Sequence, residues 1–242
     1  MTSGILGRAS VVLEDMRCQH GRPVTLADVT RRTGIPRSSV HRILDQLAGL
    51  GWIARAGNEY RLGSRMFDFG IGAAQGDAEM ACAWPVVQGL AARTGLIACL
   101  GTIRDSQVVI LEKAGGPPST TSPFRVGARL PAQRTSLGKV LLSAAGNEAH
   151  ENIDARRRDE LGRVRETGVA HTFDDLVPGI GCVASVVRVH GRPADVALAV
   201  SGSSLQVRNR VFRLNVQAAA AALGRALEAN ATRIAPERLT SV

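Results

Sequence analysis

Two groups of residues combine types and spacings that could do chemistry. The first is Arg37, Ser38, Ser39, His41 and Arg42, inside the stretch TGIPRSSVHRILDQLAGLGWI (33–53). Guanidinium, hydroxyl and imidazole groups are the ones that touch phosphate oxygens and base edges. The second is Ser136-Leu137-Gly138-Lys139. On a helix its Ser-x-x-Lys spacing sets a hydroxyl beside an amine, as serine acyl-enzymes require. Each has a plain alternative: a solvated face on a core-packing helix, and a four-residue match that arises by chance.

The enzymatic reading finds little company. The S-D-N and K-T-G partners of a Ser-x-x-Lys site are missing from the chain. Gly138-Lys139 is not a Walker A loop, because Gln133 stands where its first glycine belongs and Val140 where Ser or Thr belongs. Neither G-x-S-x-G nor H-E-x-x-H occurs. Cys18, Cys82, Cys99 and Cys182 lie far apart with no C-x-x-C, and the histidines are scattered, so neither a metal nor a cofactor is expected. A serine acyl-enzyme using Ser136 and Lys139 stays as an alternative. The same region also suits binding. Thr135 and Ser136 at a helix start leave backbone N–H groups that favour an anion such as a carboxylate. Cys182, Ser201 and Ser203 at strand ends offer polar contacts. Against this, serine and threonine cap helices everywhere, and a buried cysteine is usually packing.

Composition sets the frame for these groups. At 242 residues and 45% apolar, the chain can bury a real core in one large domain or two ordinary ones. It contains no run of 18 apolar residues and no signal-like start, so a soluble, cytoplasmic protein without a membrane partner is expected. The net charge of +9 suggests an anionic partner, although 28 of the 30 basic residues are arginine, a bias that GC-rich genomes also produce. Location says more than total. Residues 1–65 hold ten arginines against five acids, so about half of the excess sits in about a quarter of the chain.

The elements that must position the first group can be read from periodicity. Residues 5–19 place Leu6, Val11, Val12, Leu13 and Met16 near helical spacing. Thr25 is a good N-cap for a short helix, Asp28 its capping-box partner and Gly34 its end. Pro36 opens the next helix, where Val40, Ile43, Leu44 and Leu47 share one side while Ser38, Arg42, Asp45 and Gly49 fall on the other, flanked by His41. Trp52–Arg55 and Tyr60–Leu62 read as a two-stranded hairpin around 56–59. Helix, helix, turn, helix, hairpin is the winged helix-turn-helix plan, with the helix at 36–50 as its reading head. Asp45 would repel phosphates, so DNA belongs near residues 37–42, with Arg55 and Arg61 on the hairpin as further phosphate contacts. A winged helix that binds only protein, in a sensor or scaffold, is the competing reading.

Beyond a partly helical connector, Pro85 fits the opening of a helix that Gly95 ends. Strand-like runs follow at 96–103, 107–114, 180–189 and 194–202, with a Gly/Pro/Ser/Thr-rich loop at 115–123. Helical patterns lie at 136–144, 155–167 and 208–229. This mixture indicates an α+β sensor domain.

Several of these stretches together resemble a known family. TLADVTRRTGIPRSSVHRILDQLAGLGWI followed by EYRLG is similar to the winged helix-turn-helix of the IclR (isocitrate lyase regulator-type) transcription factors. GARLPAQRTSLGKVLLSA is similar to that family's effector-domain signature, and PVVQGLAARTG, RVRETGVA and LVPGIGCVASVV…ALAVSG follow in the family's order. The resemblance implies a winged helix-turn-helix over 1–66, a connector over 67–84 and a GAF-like effector-binding and oligomerisation domain over 85–242. It implies a homodimer or homotetramer on a pseudo-palindromic double-stranded operator, answering to a small effector, often an organic or aromatic acid. Carried over by position, DNA contacts fall on Arg37, Ser38, Ser39, His41 and Arg42, and effector contacts near Leu130, Thr135, Asp175, Cys182 and Ser201. Arg42 would reach a guanine edge while Arg37 and the serines hold phosphates. The chain departs from the family in three places. Gln133 and Arg134 replace a usual histidine and small residue, Val186 replaces a usual proline, and the stretch between Ser143 and Leu161 is shorter.

Overall fold

The computed structural model describes residues 4–19, 21–75, 78–116, 123–145 and 154–234. Most of the loop expected at 115–123 and the centre of the shortened 143–161 stretch lie outside them. The chain divides into two units, Met1–Asp77 and Ala78–Val242.

In the first unit the caps act as their residue types dictate. Thr25 is extended and its hydroxyl accepts from the Asp28 amide, while the Asp28 carboxylate accepts from the Thr25 amide, so both halves of the capping box are made. They start α2 (Leu26–Thr33), which Gly34 ends at φ +68, a left-handed conformation that costs glycine little. Pro36 caps α3 (Arg37–Gly49), and Val40, Ile43, Leu44 and Leu47 are all buried. They pack on Val12 and Met16 of α1 (Ile5–Cys18). Leu6 was expected to join them and is 82% exposed. Six residues before Val12, it falls on another face of the helix. Arg32 grips Asp15 through two hydrogen bonds of 2.7 and 2.9 Å and ties α2 to α1.

The wing has three strands where two were expected. β2 (Ile53–Ala56) and β3 (Glu59–Leu62) form the hairpin, and β1 (Val24–Thr25) adds to the free edge of β3. Two residues carry too short a pattern to show in a sequence. Ile53 and Tyr60 seal the same core from the wing side. α4 (Ser64–Gln75) closes this unit, and Arg65 donates from Nη1 to the Leu50 carbonyl at 3.0 Å, satisfying an orphan acceptor at the end of α3.

The second unit is built on six antiparallel strands in the order β6-β5-β4-β9-β8-β7. These are β4 (Ile97–Arg104), β5 (Gln107–Ala114), β6 (Arg129–Pro131), β7 (Val169–Phe173), β8 (Ile180–Val189) and β9 (Arg192–Ser203). Two hairpins turn on pairs with positive φ, Asp105-Ser106 and His190-Gly191, which suit the right-handed twist of the strands they join. Strands β4, β5, β7, β8 and β9 split their side chains between two cores. Leu100, Val183, Val187, Leu198 and Val200 face α5 (Ala78–Thr94) and α9 (Arg210–Ile234), and a short turn of helix, α8 (Ser204–Val207), leads from β9 into α9. Cys99, Ala184, Ala197 and Ala199 face α6 (Ser136–Ala144), with α7 (Ala155–Thr167) beside it. Burial on both faces explains why these strands read as near-continuous apolar runs. The small residues on the α6 side leave room between helix and sheet.

Pro85 corrects one expectation. It was read as opening a helix and instead lies inside α5, which begins at Ala78. An interior proline removes one ladder hydrogen bond. The turn before it is held by tertiary packing: Ala83 is fully buried with Val216, Ala219 and Leu223 of α9, and Cys82 points its thiol at the Ala226 carbonyl.

Candidate functional site

On the first unit, the outward side of α3 and the wing enclose an open groove of about 710 Å³. Arg37, Ser38, His41 and Arg55 line it, joined by Leu26, Asn58 and Tyr60, which sequence reasoning missed. Arg42 is exposed and Ser39 half-buried on the same helix. Arg61 does not join them. It pairs across the hairpin with Ala54, whereas Arg55 pairs with Tyr60, so the two arginines point to opposite faces of the wing. Asp45 holds two members of the groove, at 3.1 Å from His41 Nδ1 and 3.7 Å from Arg55 Nη1. Arg55 also donates from Nε to the Gly57 carbonyl at 3.0 Å and lies over the Tyr60 ring. Arg37 and Arg42, by contrast, have no carboxylate partner among the described residues.

On the second unit, a closed cavity of about 20 Å³ lies between α6 and the sheet. Leu130, Thr135, Cys182 and Ser201 line it, four of the five residues expected at an effector, together with Cys99, Phe124, Leu137, Leu176 and Arg134. Ser136 and Leu137, whose first-turn amides have no acceptor within the helix, also face it. Thr135 caps α6: its hydroxyl accepts from the Gly138 amide at 3.1 Å. The Cys182 thiol donates to Ser201 Oγ at 3.2 Å. Ser203 does not contribute, because it caps α8 through a capping box with Gln206.

Burial pushes the Cys99 thiol up to about 12, and raises that of Cys182 above its ordinary value despite its hydrogen bonds with Ser201 and Thr172. Both thiols are therefore neutral near pH 7 and inert as nucleophiles. Cys99 pairs with Ala199 and Cys182 with Ser201, on either side of β9. Two strand spacings, about 9–10 Å, separate them, too far for a disulfide.

Asp175 lies outside the closed cavity, in an adjoining open cleft of about 750 Å³. Its side chain meets Lys139 Nζ at 3.2 Å and its main-chain carbonyl accepts from Arg134 Nε at 3.0 Å. Lys139 also pairs with Glu160 at 2.8 Å. Its ion-pair partners among the described residues are thus two carboxylates, on α7 and on the loop after β7, and not the buried Ser136. Arg134 and Thr172 line both cavity and cleft and so stand between them, Arg134 exposed and Thr172 buried. Also in the cleft, His171 is held below its ordinary pKa, first by burial and then by Arg213.

Against known families, the model of the bacterial transcriptional regulator IclR C-terminal domain matches residues 79–229, and that of the IclR helix-turn-helix domain matches 18–57. The chain belongs to the IclR family. It is thus an IclR-type DNA-binding transcriptional regulator. Among relatives of this IclR chain is the HTH-type transcriptional regulator XynR of Escherichia coli, 28% identical over 238 residues, spanning 88% of the chain and 93% of the relative. The HTH-type transcriptional regulator TtgV of Pseudomonas putida is 26% identical over 199 residues, 76% of each protein. A crystal structure of an IclR homologue from Microbacterium hydrocarbonoxydans, complexed with 4-hydroxybenzoate, superposes with a TM-score of 0.81. It shares 23% identity and covers 93% of this chain and 100% of that one, which establishes the common fold. The IclR helix-turn-helix match contains the groove residues of α3 and Arg55 and ends before Arg61.

Proposed function

We propose that this IclR-family regulator binds a pseudo-palindromic operator as a homo-oligomer in the cytoplasm and that a small organic acid alters that binding. The observation that carries the DNA reading is the exposed start of α3, where Arg37, Ser38, His41 and Arg42 stand on a helix fixed from behind by buried Val40, Ile43, Leu44 and Leu47. An arginine near the start of a recognition helix can bridge guanine O6 and N7, while its neighbours hold phosphates.

The effector reading rests on the closed cavity. Apolar walls from Phe124, Leu130, Leu137 and Leu176, with first-turn amides of α6 at one end, suit a hydrophobic body carrying a carboxylate. The homologue complexed with 4-hydroxybenzoate supports an acid of that kind. A cavity of about 20 Å³ has room for one water. Ligand sites run to about 300 Å³ and more, so an effector enters by displacing a wall, and Arg134 is the wall that faces solvent.

The test is fluorescence anisotropy on duplexes tiled upstream of the protein's own gene, with scrambled duplexes alongside. One fragment should bind at least about 10³-fold more tightly than scrambled DNA, and Arg42→Ala should abolish that preference. Equal binding everywhere, or unchanged specificity in Arg42→Ala, would sink the recognition-helix assignment and favour a protein-binding winged helix.

A further inference from the structure

The open cleft beside the closed cavity is unusual in its charges. Arg134, Arg156, Arg157, Arg163 and Lys139 line it, against the carboxylates of Asp154, Glu160 and Asp175. All three acids are already engaged. Glu160 and Asp175 both pair with Lys139, and Asp154 caps α7 by accepting from the Arg157 amide at 2.8 Å. Arg157 Nη1 donates to Gln133 Oε1 at 2.5 Å and Arg134 donates to a main-chain carbonyl, both neutral acceptors. Arg156 and Arg163 have no carboxylate partner among the described residues. They lie seven residues apart, two turns of α7, and so project from the same side of it. Glu160 lies between them at helical spacing for an ion pair with either, yet it turns to Lys139.

Four guanidiniums thus border one cleft with neutral partners or none, and the acids that would quench them are spent on a single lysine. At about 750 Å³ the cleft is also within the range of small-molecule sites. We propose that it is a second ligand site, for a small molecule carrying two or more negative charges, held by Arg134, Arg156, Arg157 and Arg163. Planar guanidiniums suit carboxylate and phosphate alike, since both accept two parallel hydrogen bonds. The site is separate from the apolar cavity and does not depend on reading that cavity as the effector's. Arg134 belongs to both, so occupancy of the cleft bears on the wall through which an effector would enter.

Isothermal titration of the full chain with pyrophosphate and, separately, with tricarballylate tests this, with acetate as a singly charged control. Saturable binding of at least one polyanion, at least tenfold tighter than acetate, is expected. Arg156→Gln with Arg163→Gln should weaken it tenfold or more, while Arg37→Gln with Arg42→Gln should leave it unchanged. Both pairs are exposed and outside the cores, and circular dichroism checks that each variant folds. Pyrophosphate alone binding would assign a phosphorylated ligand, and tricarballylate alone a polycarboxylate. Neither binding, or binding that survives the loss of Arg156 and Arg163, would overturn the site. Binding lost only with Arg37 and Arg42 would also overturn it, because the anion would then occupy the DNA groove.

Discussion

At the scale of the residue, Asp45 sets the charge of the groove proposed to meet phosphate. It lies on the exposed side of α3 and binds both His41 and Arg55, so it masks one of the cations that line the groove. The three side chains are about half exposed, and such surface pairs contribute little to stability. Asp45→Asn should therefore leave the melting temperature essentially unchanged. It removes a negative charge from the phosphate side and releases Arg55, so affinity for scrambled duplex DNA should rise several-fold at low salt. Anisotropy measures this directly. A fall in affinity would mean instead that Asp45 presents Arg55 in its working position. Sequence reading placed Asp45 on the side of α3 opposite its apolar residues, and the structure exposes it there. That reading could not see the wing returning to it, because that contact depends on the hairpin register that puts Arg55 opposite Tyr60.

At the scale of the element, local chemistry was legible wherever a residue's own conformation sets the boundary. Thr25, Gly34, Asp105-Ser106 and His190-Gly191 each announce a cap or turn, and α6 and α7 begin and end where their patterns do. What escaped depends on partners distant in sequence. β1 exists because β3 offers an edge, and α5 runs through Pro85 because α9 packs on it. The closed cavity was half legible. Leu130, Thr135, Cys182 and Ser201 were found, whereas Phe124 and Leu176 come from loops whose pattern says nothing of direction. The close seat of α6 was also invisible. A Cβ on Gly138 would stand 2.0 Å from the Ala132 carbonyl oxygen, so only glycine fits. Gly138→Ala should cost about 3 kcal/mol in urea denaturation, through overpacking against backbone. Gly162→Ala on α7 is the control. Nothing lies within 4 Å of its Cβ, and helix propensity predicts a gain of up to about 1 kcal/mol. Equal effects at the two glycines would mean that α6 has freedom to move off the turn before it.

At the scale of the whole molecule, the net charge of +9 has to be apportioned before it explains anything. Within the first unit Arg17, Arg31 and Arg32 are paired with acids and Arg55 leans on Asp45, so its excess rests on the remaining arginines, Arg37 and Arg42 among them. In the second unit the arginines of the cleft belong to a different element from any that resembles a reading head. Total charge is thus a poor guide to DNA affinity, and the salt dependence of binding is a better one. Each neutralised phosphate contributes about −0.9 to the slope of log affinity against log salt. Counting Arg37, Arg42 and Arg55 for each reading head, two heads on a pseudo-palindrome give a slope of about −5, and a single head about −3. A slope near −5 on the operator, falling toward −3 on a duplex with one half-site, would support paired heads. The same slope on both duplexes would count against them. Arg156→Gln with Arg163→Gln should leave either value unchanged, because those cations serve the cleft. A slope that became shallower in this variant would place DNA along the second unit as well.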